Sequence, residues 1–129
     1  MNADSSESKR MYKLSDASNL TFLIGKEICQ VAIGSYDVQF SWGNGGISVW
    51  CKFLYKPAGT ADEIVWAGEQ PESATPTVRL LKSLITSVKC SEEGTLQLSF
   101  SNGDQLEIFE DERYESFSIQ DGKGPTIIV

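Results

Sequence analysis

Carboxylates are the one abundant reactive group in this sequence: 18 Asp and Glu among 129 residues, with no histidine. Without an imidazole, a serine or cysteine nucleophile lacks its usual base, and a metal loses its commonest ligand. Chemistry would fall to paired carboxylates, which suffice for glycoside hydrolysis when two flank one bond. Glu107 with Glu115 and Asp62 with Glu63 are such pairs, but their spacing does not set them apart from the other acids. Cys29, Cys51 and Cys90 have no paired ligand spacing, so zinc is poorly served. Each lies in an alternating apolar run and is expected to pack as a buried apolar residue. Glu110-Asp111-Glu112 offers oxygens to calcium without the Asp-x-Asp-x-Asp-Gly frame. Gly43-Asn44-Gly45-Gly46 leads into a strand pattern and not into a helix whose amides could hold phosphate. The expectation is a protein that is not an enzyme and that uses no cofactor or metal.

Charge points to a partner. The net charge is −7, which argues against nucleic acid or an anionic membrane, since both need a cationic face. The bias is local: residues 91–121 carry nine acids against Arg113 alone. Such a face either serves solubility or steers a basic protein, speeding encounter and suppressing wrong partners. The polar opening Met1–Lys13 lacks the apolar stretch of a secretory signal, and no apolar run has membrane-spanning length, so the expected location is the cytoplasm.

The elements that position these groups are strands. Hydrophobic residues make up 40% and charged residues 22%, as in a globular domain. Residues 1–18 show no sustained period and read as a flexible tail, followed by one β domain over 19–129. Ile28-Cys29-Gln30-Val31-Ala32-Ile33 recurs as Ile85-Thr86-Ser87-Val88-Lys89-Cys90 at an offset of 57, and Val38-x-Phe40-x-Trp42-x-Asn44-Gly45 recurs as Leu96-x-Leu98-x-Phe100-x-Asn102-Gly103 at 58. These matches define half-repeats over about residues 22–56 and 80–120. Period-two alternation ending in Asn-Gly predicts a hairpin in each half. A two-residue loop at Asn44-Gly45 pairs Phe40 with Val49 and Val38 with Cys51. A three-residue loop, Asn102-Gly103-Asp104, pairs Phe100 with Leu106 and Leu98 with Ile108, with a glycine in the left-handed region. Further strands are expected at Glu63–Ala67, Tyr114–Ile119 and, at an edge, Thr126–Val129. Residues 110–113 and 121–124 read as turns, and a short helix is expected to open at Pro76-Thr77 and face inward through Val78, Leu81 and Leu84. The predicted fold is mainly β, an antiparallel sandwich or partly open barrel of two hairpin-containing halves with at most one short helix.

Alternation also turns two aromatics outward. If Val49 and Cys51 face the core, Trp50 faces away, and Phe109 does so between Ile108 and Glu110. An exposed aromatic among carboxylates is a composition found where binding energy concentrates.

Leu96-x-Leu98-x-Phe100-x-Asn102-Gly103 followed by Tyr114-Glu115-Ser116-Phe117-Ser118-Ile119 resembles a pattern in small, uncharacterised bacterial β proteins: strand, glycine turn, strand, then Tyr-Glu-Ser before an aromatic residue. Phe117 stands where tryptophan is more usual. Such proteins resemble the immunity proteins of polymorphic or contact-dependent toxin systems. The resemblance covers about residues 80–120, brings no catalytic residues, and implies a cognate toxin, often a basic nuclease, as partner. It places Glu107, Phe109, Glu110, Asp111, Glu112 and Glu115 on the contact, with Trp50 at its margin. The alternatives are a structural or self-associating β module, pairing edge to edge, and a carboxylate-dependent hydrolase. The expected state is a monomer or weak homodimer.

Overall fold

A computed structural model of the chain describes residues 17–68, 70–91, 94–109, 117–120 and 127–128. Among the described residues the alternating segments form ten short strands: β1 (Gln30–Ile33), β2 (Val38–Ser41), β3 (Gly46–Val49), β4 (Lys52–Lys56), β5 (Ile64–Trp66), β6 (Ile85–Cys90), β7 (Leu96–Phe100), β8 (Gln105–Phe109), β9 (Phe117–Gln120) and β10 (Ile127–Ile128). They make two sheets, in the orders β1-β2-β3-β9-β10 and β5-β4-β8-β7-β6, with every neighbouring pair antiparallel. Alternate residues point inward, so Val38 and Phe40 of one sheet and Phe53, Tyr55, Leu96 and Leu98 of the other share a single buried core. Phe40 meets Phe53 edge to face across the sheets, with ring centres 5.9 Å apart, and Trp66 stacks on Phe53 at 5.1 Å. The architecture is a β-sandwich and does not close into a barrel.

Helical structure among the described residues consists of two 3₁₀ segments, Ala17–Leu23 and Pro71–Leu80. The helix expected from Pro76 starts at Pro71 instead, with Pro76 inside it and Leu81 beyond its end. The inward face differs too: Ala74, Thr77 and Leu80 are buried, whereas Val78, Leu81 and Leu84 are exposed. Three residues per turn set Ala74, Thr77 and Leu80 on one line, and the Thr77 hydroxyl is satisfied by donating to Ala74 O at 2.6 Å.

The halves exchange strands. β1-β2-β3 and β6-β7-β8 are equivalent meanders in different sheets, and each is extended by the last two strands of the other half, β9-β10 beside β3 and β4-β5 beside β8. Backbone hydrogen bonds repeat the relation at an offset of 57. Gly25 N donates to Ile85 O (2.8 Å) as Lys82 N donates to Ile28 O (2.7 Å). Ile28 N donates to Ser83 O (2.9 Å) as Ile85 N donates to Lys26 O (3.0 Å). Glu27 and Leu84, each the counterpart of the other, form a bridge. A pseudo-two-fold axis therefore passes through that bridge, and the weak sequence repeat reflects two equivalent structural units.

Both hairpins sit one residue earlier than the Asn-Gly signal implies. In the first, Trp42 N donates to Gly45 O and the loop is Gly43-Asn44, so Phe40 pairs with Ile47 and Val38 with Val49. Gly43 has φ +98°, which meets the demand for a left-handed residue at the first central position of a type II′ turn. Cys51 consequently never pairs with Val38; Trp50 and Cys51 form the bend between β3 and β4, where the chain changes sheets. In the second hairpin Phe100 N donates to Asp104 O, the loop is Ser101-Asn102-Gly103, and Leu98 pairs with Leu106. Loop length and the left-handed Gly103 are as expected, but that residue must come last in such a loop, which moves Asp104 out of the turn. β10 is an edge strand, as expected.

Lys82 is the one described non-glycine residue with positive φ (+72°), and its counterpart is Gly25 (+93°). Lys82→Gly is expected to stabilise the protein by roughly 0.5–1 kcal/mol, and Gly25→Ala to destabilise it by about 1 kcal/mol, as read from urea midpoints. Opposite signs at the two positions would confirm that both occupy one strained geometry.

Candidate functional site

The sequence marks the neighbourhood of β8 as acidic, and the structure divides those acids by role. Asp104 is wholly buried at the base of the β7–β8 hairpin. Its Oδ2 accepts from the Tyr55 hydroxyl, from Arg79 Nε at 3.3 Å and from Asn102 Nδ2 at 3.1 Å; its Oδ1 accepts from Ala58 N at 2.7 Å and Arg79 Nη2 at 3.4 Å. Burial alone would push this carboxyl up, but those donors outweigh it and hold Asp104 below the usual carboxylate range. Burial, then the Asp104 bond and charge, raise the Tyr55 hydroxyl well beyond its ordinary value. Asn102 Nδ2 also donates to Arg79 O at 3.1 Å, and Asn102 Oδ1 accepts from Asp104 N at 2.9 Å. One ionised side chain thus ties together the loop after β4, the end of the second 3₁₀ segment and the hairpin. It has no capacity left for a ligand, and its role is to hold these loops rigid.

Glu107 is also engaged internally, accepting from Gln97 Nε2 at 2.8 Å and lying 3.8 Å from Lys56 Nζ. Phe109 closes β8, half-buried, with Lys52 Nζ 5.1 Å from its ring centre. Trp50 is 39% exposed. Glu110, Asp111, Glu112 and Glu115 lie outside the described residues, as do the loop expected at 110–113, the turn expected at 121–124 and residues 1–16 of the tail expected over 1–18, whose last two residues, Ala17 and Ser18, instead open the first 3₁₀ segment. The strand registers nonetheless fix the ends of the 110–116 connection: Phe109 pairs with Lys52 and Phe117 with Val49, so both ends flank the Trp50–Cys51 bend. Gly68 packs against this bend, where an added Cβ would sit 3.2 Å from Trp50 O.

The remaining candidates separate. Asp62 and Glu63 are exposed on the connection before β5. Cys29 is exposed and Cys51 and Cys90 are half-buried, which corrects the expectation that all three are buried. Cys29 falls just before β1, where period-two burial has not begun. Among the described residues, open depressions mark both outer faces. One, of about 230 Å³, is lined by uncharged groups including Gln39, Ser41, Ser48, Ser118 and Gln120. The other, of about 240 Å³, contains Lys56, Lys89 and Glu107. Among the described residues no three potential metal ligands converge, and no helix is long and apolar enough to cross a membrane.

Sequence reasoning missed the Tyr55–Arg79–Asn102–Asp104 cluster because its members are scattered over 50 positions of chain. A signal was present in the repeat itself: Asp104 takes the place that Gly45 holds in the first hairpin, since each accepts the closing bond from Phe100 N or Trp42 N.

Fold and site define a two-sheet protein with exchanged half-repeats and one buried carboxylate, Asp104, paired with Arg79. The chain belongs to a family of unknown function, DUF6188, whose pattern matches residues 20–129. No curated protein and no solved structure matches it.

Asp104→Ala is expected to cost about 3 kcal/mol, because it leaves Tyr55 and Ala58 without their acceptor and removes the Arg79 counter-charge. Since folding lowers the Asp104 pKa, its stabilisation is complete above the unfolded value of about 3.9 and is lost as pH falls below it. Urea midpoints measured from pH 5 down to about pH 2 should therefore drop more steeply in the natural protein than in Asp104→Asn.

Proposed function

We propose that this chain is a non-catalytic binding protein that neutralises a cognate bacterial toxin, a basic nuclease, by occupying its surface in the cytoplasm. The observation that carries this proposal is the corner at the sheet change. Exposed Trp50 sits beside both ends of a connection whose sequence holds Glu110, Asp111, Glu112 and Glu115 against Arg113. An aromatic anchor bordered by carboxylates suits a cationic protein surface, with the aromatic supplying affinity and the charge supplying approach rate and selectivity.

The charge distribution supports the same location. The described residues contain seven acids and six bases, a balance of −1 against −7 for the whole chain, so most of the surplus lies in a few short segments including 110–116. With Asp104 buried and Glu107 tied to Gln97 and Lys56, the contact centres on Trp50, Phe109 and the four acids of that connection, with Glu107 at its rim. The partner is a protein and not nucleic acid or membrane, and the chain acts as a monomer or weak homodimer without cofactor.

The test uses the product of the gene adjacent to this protein's own, which is expected to end in a basic toxin domain. Reversing Glu110, Asp111 and Glu112 to lysine is expected to slow association and flatten its salt dependence. Trp50→Ala is expected to weaken binding by about 30-fold, chiefly through faster dissociation, equivalent to about 2 kcal/mol. Unchanged rates and salt response in both variants would refute the proposal.

A further inference from the structure

The chain has four asparagines, and two of them, Asn44 and Asn102, precede glycine at matching places in the repeat. A following glycine leaves its backbone nitrogen sterically free to approach the asparagine side chain. The same dipeptide meets opposite surroundings in the two halves. Asn102 is held by three hydrogen bonds, from its Nδ2 to Arg79 O and Asp104 Oδ2 and from Asp104 N to its Oδ1. The nitrogen that would attack it, Gly103 N, already donates to Phe100 O at 2.9 Å. Asn44 is exposed at the second central position of the II′ turn, and among the described residues its side chain has no hydrogen-bond partner and Gly45 N donates no hydrogen bond. The turn is closed through Gly45 O, leaving the nucleophilic nitrogen available.

We infer that Asn44 is a site of spontaneous deamidation in the folded protein and that Asn102 is protected from the same reaction. Gly45 N attacks Cγ of Asn44, forming an N–Cγ bond while the Cγ–Nδ2 bond breaks. The departing amide takes up the proton lost from Gly45 N and leaves as ammonia. Water then opens the cyclic imide at either carbonyl, adding hydroxyl to carbon and hydrogen to nitrogen, and yields aspartate or isoaspartate. The new carboxylate lies on the rim of the depression whose described lining, Gln39, Ser41, Ser48, Ser118 and Gln120 included, is uncharged. Isoaspartate also lengthens the backbone inside a two-residue turn that sets the β2–β3 register. The modification therefore changes the charge and the local geometry of one outer face while leaving the other hairpin intact.

The full natural chain, incubated in mildly alkaline buffer and mapped by peptide mass spectrometry with isoaspartate detection, tests this directly. Conversion at Asn44 is expected to run at least about tenfold faster than at Asn102, because the latter must first open several hydrogen bonds. In denaturant the two rates should converge, and Asn44→Gln should abolish the early product in the folded chain. Equal rates in the folded chain, faster conversion at Asn102, or no conversion at Asn44 while the denatured chain reacts would each overturn the inference.

Discussion

The exchange of strands between the two half-repeats is the constraint on which the rest of the structure depends. A three-stranded meander presents an apolar face and two unpaired edges, and here the face and the edge formed by its last strand are both covered. Here the covering strands come from the other half: β9 pairs with β3 through four residue pairs, and β4 with β8 through five. The reciprocal bonds around the Glu27–Leu84 bridge lock the crossing chains at the pseudo-two-fold axis. Because each half must leave its own sheet to complete the other, the chain changes sheets after β3, through the Trp50–Cys51 bend, and again between β8 and β9. The first of these crossings leaves Trp50 exposed at the corner where the sheets join.

Near-equivalence of the halves makes their differences informative. Asp104 has no counterpart acid in the first hairpin, where Gly45 stands, and Tyr55 of β4 corresponds in sheet position to the apolar Ile119 of β9. One half thus carries a buried ionic cluster that pins three loops, while the other closes with glycines and keeps its turn open. The outer faces diverge in the same way, charged around Lys56 and Glu107 and neutral around Ser48 and Ser118. Rigidity is concentrated around the β7–β8 hairpin and chemical lability around the β2–β3 turn, although both begin from the same Asn-Gly signal.

Period-two alternation made most strands and the two-sheet core legible in the sequence, because burial of every second residue is a local property. The repeat was visible at Ile28–Ile33 and Ile85–Cys90, but its meaning was not, since exchange between sheets is decided by pairing over long separations. Turn registers were misplaced by one residue at both Asn-Gly pairs: Gly43 could supply the left-handed position as readily as Gly45, and the three-residue loop needed Gly103 last. The inward line of the second helix was misread because a 3₁₀ segment buries Ala74, Thr77 and Leu80, and composition does not distinguish it from an α-helical turn. Of the candidate site, exposure of Trp50 was legible from alternation. Removal of Asp104 from the acidic face was not, because Arg79 and Tyr55 reach it from distant segments.

Native-state hydrogen exchange measured against increasing denaturant addresses the interlocked architecture most directly. If each meander depends on strands supplied by the other half, the protected amides of β1–β3 and β6–β8 must exchange through one common opening with one denaturant dependence. Persistent protection of either meander after the other has opened, seen as two separate isotherms, would contradict the account.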